Sequence, residues 1–271
     1  MLKDITIGQF FPGDSVIHRL DARFKILMTA LFIVMLFSAK NFISLGVAVL
    51  FFIIAFAASK LSPKLMLKSL KPIVPVIVIT SVLNIFFIEG ITLVKIYKLR
   101  ITDQGIETSL FMIIRLIALI CGSSLLTYTT SPIVLTDAIE QILKPLAKIK
   151  FPAHELAMMM TIALRFIPTL IEETDKIMSA QKARGAELDS GTLTQRAKAL
   201  VPILIPLFVS SFRRAEELAL AMECRCYNGG EGRTKLKTLV SGGKDYLALS
   251  ITLFFLCGIM VLNLGRIGFE A

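Results

Sequence analysis

Two arginines offer the clearest chemistry in this 271-residue chain: Arg184, within Ala183-Arg184-Gly185, and Arg225, within Cys224-Arg225-Cys226. Each guanidinium stands between small side chains, so a partner surface can come close, and its planar fork suits a carboxylate held through two parallel hydrogen bonds. Taken singly, each arginine has a second reading. The last turn of a helix leaves carbonyls unpaired at the negative end of its dipole, and a cation there gains about 0.3 to 1 kcal/mol. Gly185, directly after Arg184, suits the left-handed residue that closes many helices.

The pairing favours the docking reading. From about Pro152 to Arg184, residues Leu156, Met159, Ala163, Phe166, Leu170 and Ile177 fall at helical spacing, interrupted by Pro168. From about Leu193 to Arg225, residues Ala197, Leu200, Leu204, Phe208, Leu218 and Met222 do the same, with a bend expected at Pro202 or Pro206. Each stretch is apolar first, charged later, and finishes at its arginine. At about 1.5 Å per residue each reaches roughly 45 Å. Two such arms, with one kind of tip, call for two similar receivers, such as a dimeric or pseudo-dimeric cytoplasmic protein.

The apolar halves carry Met158, Met159 and Met160 on one arm and Ile203, Leu204 and Leu207 on the other. These side chains suit either packing of arm on arm or lipid, or a partner whose surface changes, since methionine repacks readily. Glu172, Glu173 and Asp175 stand at the height of Arg213 and Arg214. They pair if the arms cross and form solvated faces if they do not.

Other polar groups read as structural. Asp14, His18 and Asp21 resemble metal ligands in type, but Gly13-Asp14-Ser15 suits a turn and Asp21 a helix N-cap. Cys224 and Cys226 have no second Cys or His pair nearby, so zinc is not expected. Arg115 lies in an apolar run, where facing lipid would cost at least about 2.5 to 3.5 kcal/mol, so it should point into protein, into water or at the arms. A substrate contact is its second reading. Gly242-Gly243-Lys244-Asp245 is no phosphate-binding loop, because it ends in aspartate and has Thr238 where the first glycine belongs. No catalytic residues are expected.

The elements that must position the arms are membrane helices. The chain is 55% hydrophobic with a formal net charge of +10, too apolar for an ordinary soluble domain. Apolar runs at about 26 to 38, 42 to 58, 72 to 88, 106 to 128 and 246 to 264 give about five spans. The first 25 residues lack the pattern of a cleavable signal peptide. Arg19, Arg23 and Lys25 before the first run, and Lys60, Lys64, Lys68 and Lys71 after the second, put the N-terminus and that loop in the cytoplasm. The segment "TLVKIYKLRIT" alternates as a small external hairpin does. The expected fold is an all-α membrane protein with about five transmembrane helices and three amphipathic cytoplasmic helices, the first of the three opened by Pro132. Residues 1–130 form an N-terminal membrane region, 131–245 the cytoplasmic helices, and 246–271 a C-terminal span.

The two arginine tips, with "FPGDSVIHRLDARFK" (11–25), "TTSPIVLTDAIEQILKPL" (129–146), "ALRFIPTLIEE" (163–173) and "AMECRCYNGGEGRT" (221–234), resemble the transmembrane component of energy-coupling factor (ECF) transporters, the CbiQ/EcfT family. The resemblance spans nearly the whole chain. Two departures are small: Ala22 replaces the usual proline, and Cys224 replaces the more usual alanine before the second arginine. The resemblance implies an ABC-type importer of vitamins or other micronutrients, in a bacterial plasma membrane. In it this subunit links two cytoplasmic ABC-type ATPases, which would bind ATP and Mg, to a small substrate-binding membrane protein, the S component. Arg184 and Arg225 would dock on the ATPases, and the chain would bind no cofactor of its own. The competing readings are a self-sufficient secondary transporter or channel, a membrane-embedded enzyme using His18 or the Cys224/Cys226 pair, and a nucleic-acid-binding membrane protein, the last poorly served by the mixed charges of the arms.

Overall fold

The computed structural model describes residues 10–88, 90–96, 99–145, 152–186, 192–229 and 239–264. Tyr97 and Lys98 of the expected hairpin, Leu146, the end of the last motif (230–234) and Thr238 lie outside these residues. In chain order the elements are α1 (Ala22–Ser38), α2 (Phe42–Ser59), α3 (Pro63–Leu70), α4 (Val74–Phe87), β1 (Thr92–Ile96), β2 (Leu99–Thr102), α5 (Asp103–Thr129), α6 (Pro132–Leu143), α7 (Ala153–Ala183), α8 (Leu193–Glu223) and α9 (Gly243–Leu264). The protein is all-α apart from the antiparallel pair β1–β2, which falls where the alternating segment predicts a hairpin.

One compact unit draws on Gly8–Ala138 and Leu239–Ala271, and a second on Ile139–Thr238, the boundary falling inside α6. The first unit holds α1 to α5 and α9, and the second holds α7 and α8. Among the described residues α2, α5, α7 and α9 are long and apolar enough to cross a membrane, and α3 with α4, bent by 62°, makes a fifth candidate. Of the four single helices the weakest is α7, with a mean hydropathy of 1.3 against 2.2 to 2.5 for α2, α5 and α9. α1 has only 17 residues, as the short first run foretells.

The core of this unit is formed by Phe32, Met35 and Leu36 of α1, Leu45 and Ala48 of α2, Phe111 and Ala118 of α5, and Ile259 of α9. Gly122 of α5 sets the spacing of α1 and α5, since a side chain there would run into the Phe32 ring. α3 corrects the expectation of a lysine-rich loop. Pro63 occupies its first turn, where the missing N–H costs nothing. Its Met66 is buried with Cys121 and Tyr128, while Ser69 Oγ and Tyr128 Oη hydrogen-bond at 2.5 Å.

The segment before α1 is locked to distant parts of the same unit. Asp21 caps α1 by accepting from Arg23 N at 2.9 Å, as predicted. Arg23 also grips both Asp21 oxygens and donates to Leu239 O at 3.2 Å. Asp245, in the first turn of α9, accepts from Asp21 N at 2.9 Å and from Gly242 N at 2.7 Å. Lys25 donates to His18 O, Thr129 O and Thr130 Oγ1 at 3.1, 3.0 and 3.3 Å. A buried ammonium thus finds acceptors for all three of its protons.

Candidate functional site

α7 and α8 pair within the second unit, and each is a continuous helix of 31 residues running through its prolines, Pro168 in one and Pro202 and Pro206 in the other. α8 opens with a capping box in which Thr192 and Gln195 bond each other's backbone N–H. The helices are joined by Glu173, whose carboxylate accepts from Arg214 Nη2 at 3.1 Å and from Ser210 Oγ. Gln181 Nε2 donates to Pro202 O at 3.3 Å. Glu173 meets Arg214 and Gln181 meets Pro202, so the helices run antiparallel where they touch. Of the acidic and basic residues expected to face each other, Glu173 and Arg214 form the pair. Glu172 and Arg213 form no ion pair among the described residues.

The two ends share one geometry. After α7, Gly185 takes a left-handed φ of +87°, Gly185 N donates to Lys182 O at 3.0 Å and Ala186 N to Gln181 O at 3.0 Å. After α8, Cys226 takes a left-handed φ of +57°, Cys226 N donates to Glu223 O at 2.8 Å and Tyr227 N to Met222 O at 3.1 Å. Both are complete Schellman closures. Arg184 and Arg225 each directly precede the left-handed residue, so their side chains leave the helix from the same position of the same motif. Both are exposed, and neither guanidinium has a hydrogen-bond or ion-pair partner among the described residues. Ala183 and Cys224, on their N-terminal sides, are exposed as well.

Arg184 lies eleven residues past Glu173, and Arg225 eleven past Arg214. At about 1.5 Å per residue each tip stands roughly 16 Å from the cross-bridge, on opposite sides of it. The sequence pattern placed both arginines at helix ends and Gly185 at a left-handed closing position, as the structure has them. It did not foresee the left-handed Cys226 or the contacts between the helices, because a non-glycine left-handed residue has no compositional signature and those contacts depend on tertiary packing.

The apolar surfaces fall partly where expected. Met159 and Met160 are exposed and Met158 is half-buried. Ile203 is 3% exposed and belongs to the interior, Leu207 is half-buried, and Leu204 is exposed. The open apolar face of α8 instead runs through Leu204, Ile205, Phe208, Val209 and Phe212, the last at 72% exposure.

Polar residues set aside as structural are engaged locally. His18 uses both ring nitrogens, with Ser15 Oγ at 2.6 Å and Phe11 O at 3.0 Å. Arg115 donates to Ala39 O at 2.5 Å, at the end of α1, and lies 4.6 Å from the Phe111 ring centroid. Its charge thus turns into protein, on a helix-terminal carbonyl and an aromatic face. Cys224 and Cys226 are exposed free thiols.

Fold and site together define a multi-pass helical membrane protein whose paired long helices present two matched cationic ends. The chain belongs to the CbiQ family: the model of that family, described as a cobalt transport protein, matches residues 13–236. It is similar to the energy-coupling factor transporter transmembrane protein EcfT of Thermosediminibacter oceani, 55% identical over 251 residues covering 93% of this chain and 95% of the relative. The protein of the same description from Clostridium kluyveri is 56% identical over 259 residues, 95% of this chain and 96% of the relative. That of Bacillus subtilis is 46% identical over 263 residues, 94% and 99% of the two chains.

Proposed function

We propose that this chain is the non-catalytic coupling subunit of an energy-coupling factor transporter, passing ATP-driven motion from two cytoplasmic ATPases to a substrate-binding membrane protein. The single observation that carries the reading is the matched pair of helix ends. Two exposed guanidiniums, without a partner among the described residues and each in the same closing motif, suit two equivalent acidic grooves on a two-fold-related ATPase pair. Helix-end stabilisation accounts for a cation in a last turn, but it gives no reason for the same closure beside both arginines.

The same geometry supports a lever. When the ATPases close on ATP, the two docked tips are displaced relative to each other, and each helix turns about the Glu173–Arg214 contact. On the far side of that contact, Met159 lies fourteen residues away on α7 and Leu204 ten residues away on α8. These distances resemble the reach to the tips, so tip displacement reappears at similar size in the exposed apolar segments. There a repacking, methionine-rich surface can hold the substrate-binding protein through its motion. ATP and Mg belong to the ATPases, and the cargo, a vitamin or other micronutrient, is selected by the substrate-binding protein. The lysine-rich region of α3 and the basic residues before α1 support a cytoplasmic N-terminus and cytoplasmic α7 and α8 in a bacterial plasma membrane.

The test is co-purification from native cells in mild detergent. Wild type should bring down two ABC-type ATPases and a small membrane protein. Arg184→Glu/Arg225→Glu should keep the small membrane protein and lose the ATPases. Equal ATPase recovery by the double variant would refute the docking role.

A further inference from the structure

No aspartate or glutamate occurs from Ala22 to Ile88, while Lys60, Lys64, Lys68 and Lys71 fall in and beside α3. All four lysines are exposed, and none has an ion-pair or hydrogen-bond partner among the described residues. At 3.6 residues per turn Lys64, Lys68 and Lys71 fall on one stripe about 60° wide. Met66, opposite the stripe, is buried with Cys121 and Tyr128 of α5. The part of α5 packed there brings no compensating charge, since Leu116 to Thr129 contains no acidic residue. Asp14, on the segment whose Phe11 N donates to Tyr128 O, is paired with Arg19 at 3.6 Å. The stripe keeps its positive charge.

Depth selects the partner. Tyr128 stands in the last turn of α5, a candidate span, and its Oη meets Ser69 Oγ of α3 at 2.5 Å. α3 is thus held against the end of a span, where headgroups lie and where tyrosine is favoured. The chain then bends by 62° into α4, so with α4 along the bilayer normal α3 lies about 28° from the membrane plane. Leu67 is 66% exposed, one turn from Lys64 on one side and from Lys71 on the other. A bare leucine beside a lysine stripe suits the boundary between acyl chains and headgroups, whereas an acidic protein surface would leave it against charge.

We propose that α3 is an interfacial helix that gathers anionic phospholipids of the surrounding bilayer, with Lys64, Lys68 and Lys71 at the phosphates and Leu67 in the acyl region. Lipids held there fix the depth of the bend between α3 and α4 and, through Met66 and Tyr128, the end of α5. The proposal does not depend on what the arginine tips bind.

The chain contains no tryptophan, so Leu67→Trp puts a single fluorescent reporter beside the stripe. The test is quenching of that reporter in full-length protein held in nanodiscs of equal phosphatidylglycerol and phosphatidylcholine, with bromine on the acyl chains of one lipid or the other. Brominated phosphatidylglycerol should show a relative association constant at least about threefold above that of brominated phosphatidylcholine. Adding Lys64→Gln/Lys68→Gln/Lys71→Gln should make the two lipids equal, while Lys64→Arg/Lys68→Arg/Lys71→Arg should keep the preference. Phe254→Trp, an exposed position on α9, should be quenched equally by both. Every substituted side chain is exposed, and a melting temperature near wild type checks folding. Four results would each overturn the proposal: no quenching of Leu67→Trp by either lipid, equal quenching by both, a preference unchanged by the glutamine substitutions, or the same preference at Phe254→Trp.

Discussion

Cys226 sits in a left-handed conformation that costs a non-glycine residue about 1 to 2 kcal/mol, whereas Gly185 fills the same place in the other closure without that cost. Cys226→Gly should therefore raise the melting temperature by about 2 to 4 °C and keep ATPase binding, while a branched Cys226→Val should lower it. At the tips themselves, Arg184→Ala and Arg225→Ala should each weaken ATPase binding by about 2 to 4 kcal/mol in a titration with purified ATPases. The melting temperature should stay near wild type, since both side chains are exposed. Asp21 offers a pH test. Burial alone would raise its carboxyl, but the hydrogen bonds and charge of Arg23, with the Lys25 charge behind them, outweigh burial and hold it below the usual aspartate range. A folded-state value below the unfolded one contributes stability above about pH 4 that is lost as the pH falls through the folded value. Asp21→Asn should thus lower the melting temperature at pH 7, and the gap to wild type should narrow in acid. Asp21 as a cap and Gly185 as a closing residue were legible in sequence because their partners lie within a few residues. The anchoring of Lys25 was not, because its acceptor Thr129 O is 104 residues away.

Among the elements, α7 and α8 were readable nearly to the residue, since Pro152 and Gly185 bound the first apolar pattern and the second runs from about Leu193 to its arginine. Their crossing was readable only as a choice between paired and solvated charges. The pair Glu173–Arg214 is partly buried and shared with Ser210, so it should contribute near the upper end of the roughly 0 to 1 kcal/mol typical of exposed pairs. Glu173→Arg and Arg214→Glu should each reduce transport, and the swapped double variant should recover part of it. A double variant worse than either single would remove the cross-bridge from the lever. α3 was hidden in sequence because four lysines dominate its neighbourhood, while its contact with Tyr128 and Cys121 of α5 is long-range. Gly122, too, looks like one more small residue in an apolar run until α1 is beside it. Gly122→Leu should destabilise the membrane unit by about 1 to 3 kcal/mol through overpacking against Phe32, read as a lowered melting temperature.

For the whole molecule, membrane character and family follow from composition and from four long, ordered motifs, and the structure and relatives agree with both. What sequence could not supply is geometry between elements: which face of α8 is open, where the long helices cross, and how far each tip reaches from that crossing. That geometry turns two arginines into a claim about coupling. The most direct measurement is ATP-driven substrate uptake in proteoliposomes holding this chain, both ATPases and the substrate-binding protein, with wild type and Arg184→Glu/Arg225→Glu compared at matched incorporation. The account predicts uptake by wild type and none by the double variant, with the substrate-binding protein still associated. Uptake by the double variant at the wild-type rate would contradict the claim that the arginine-ended helices carry the coupling.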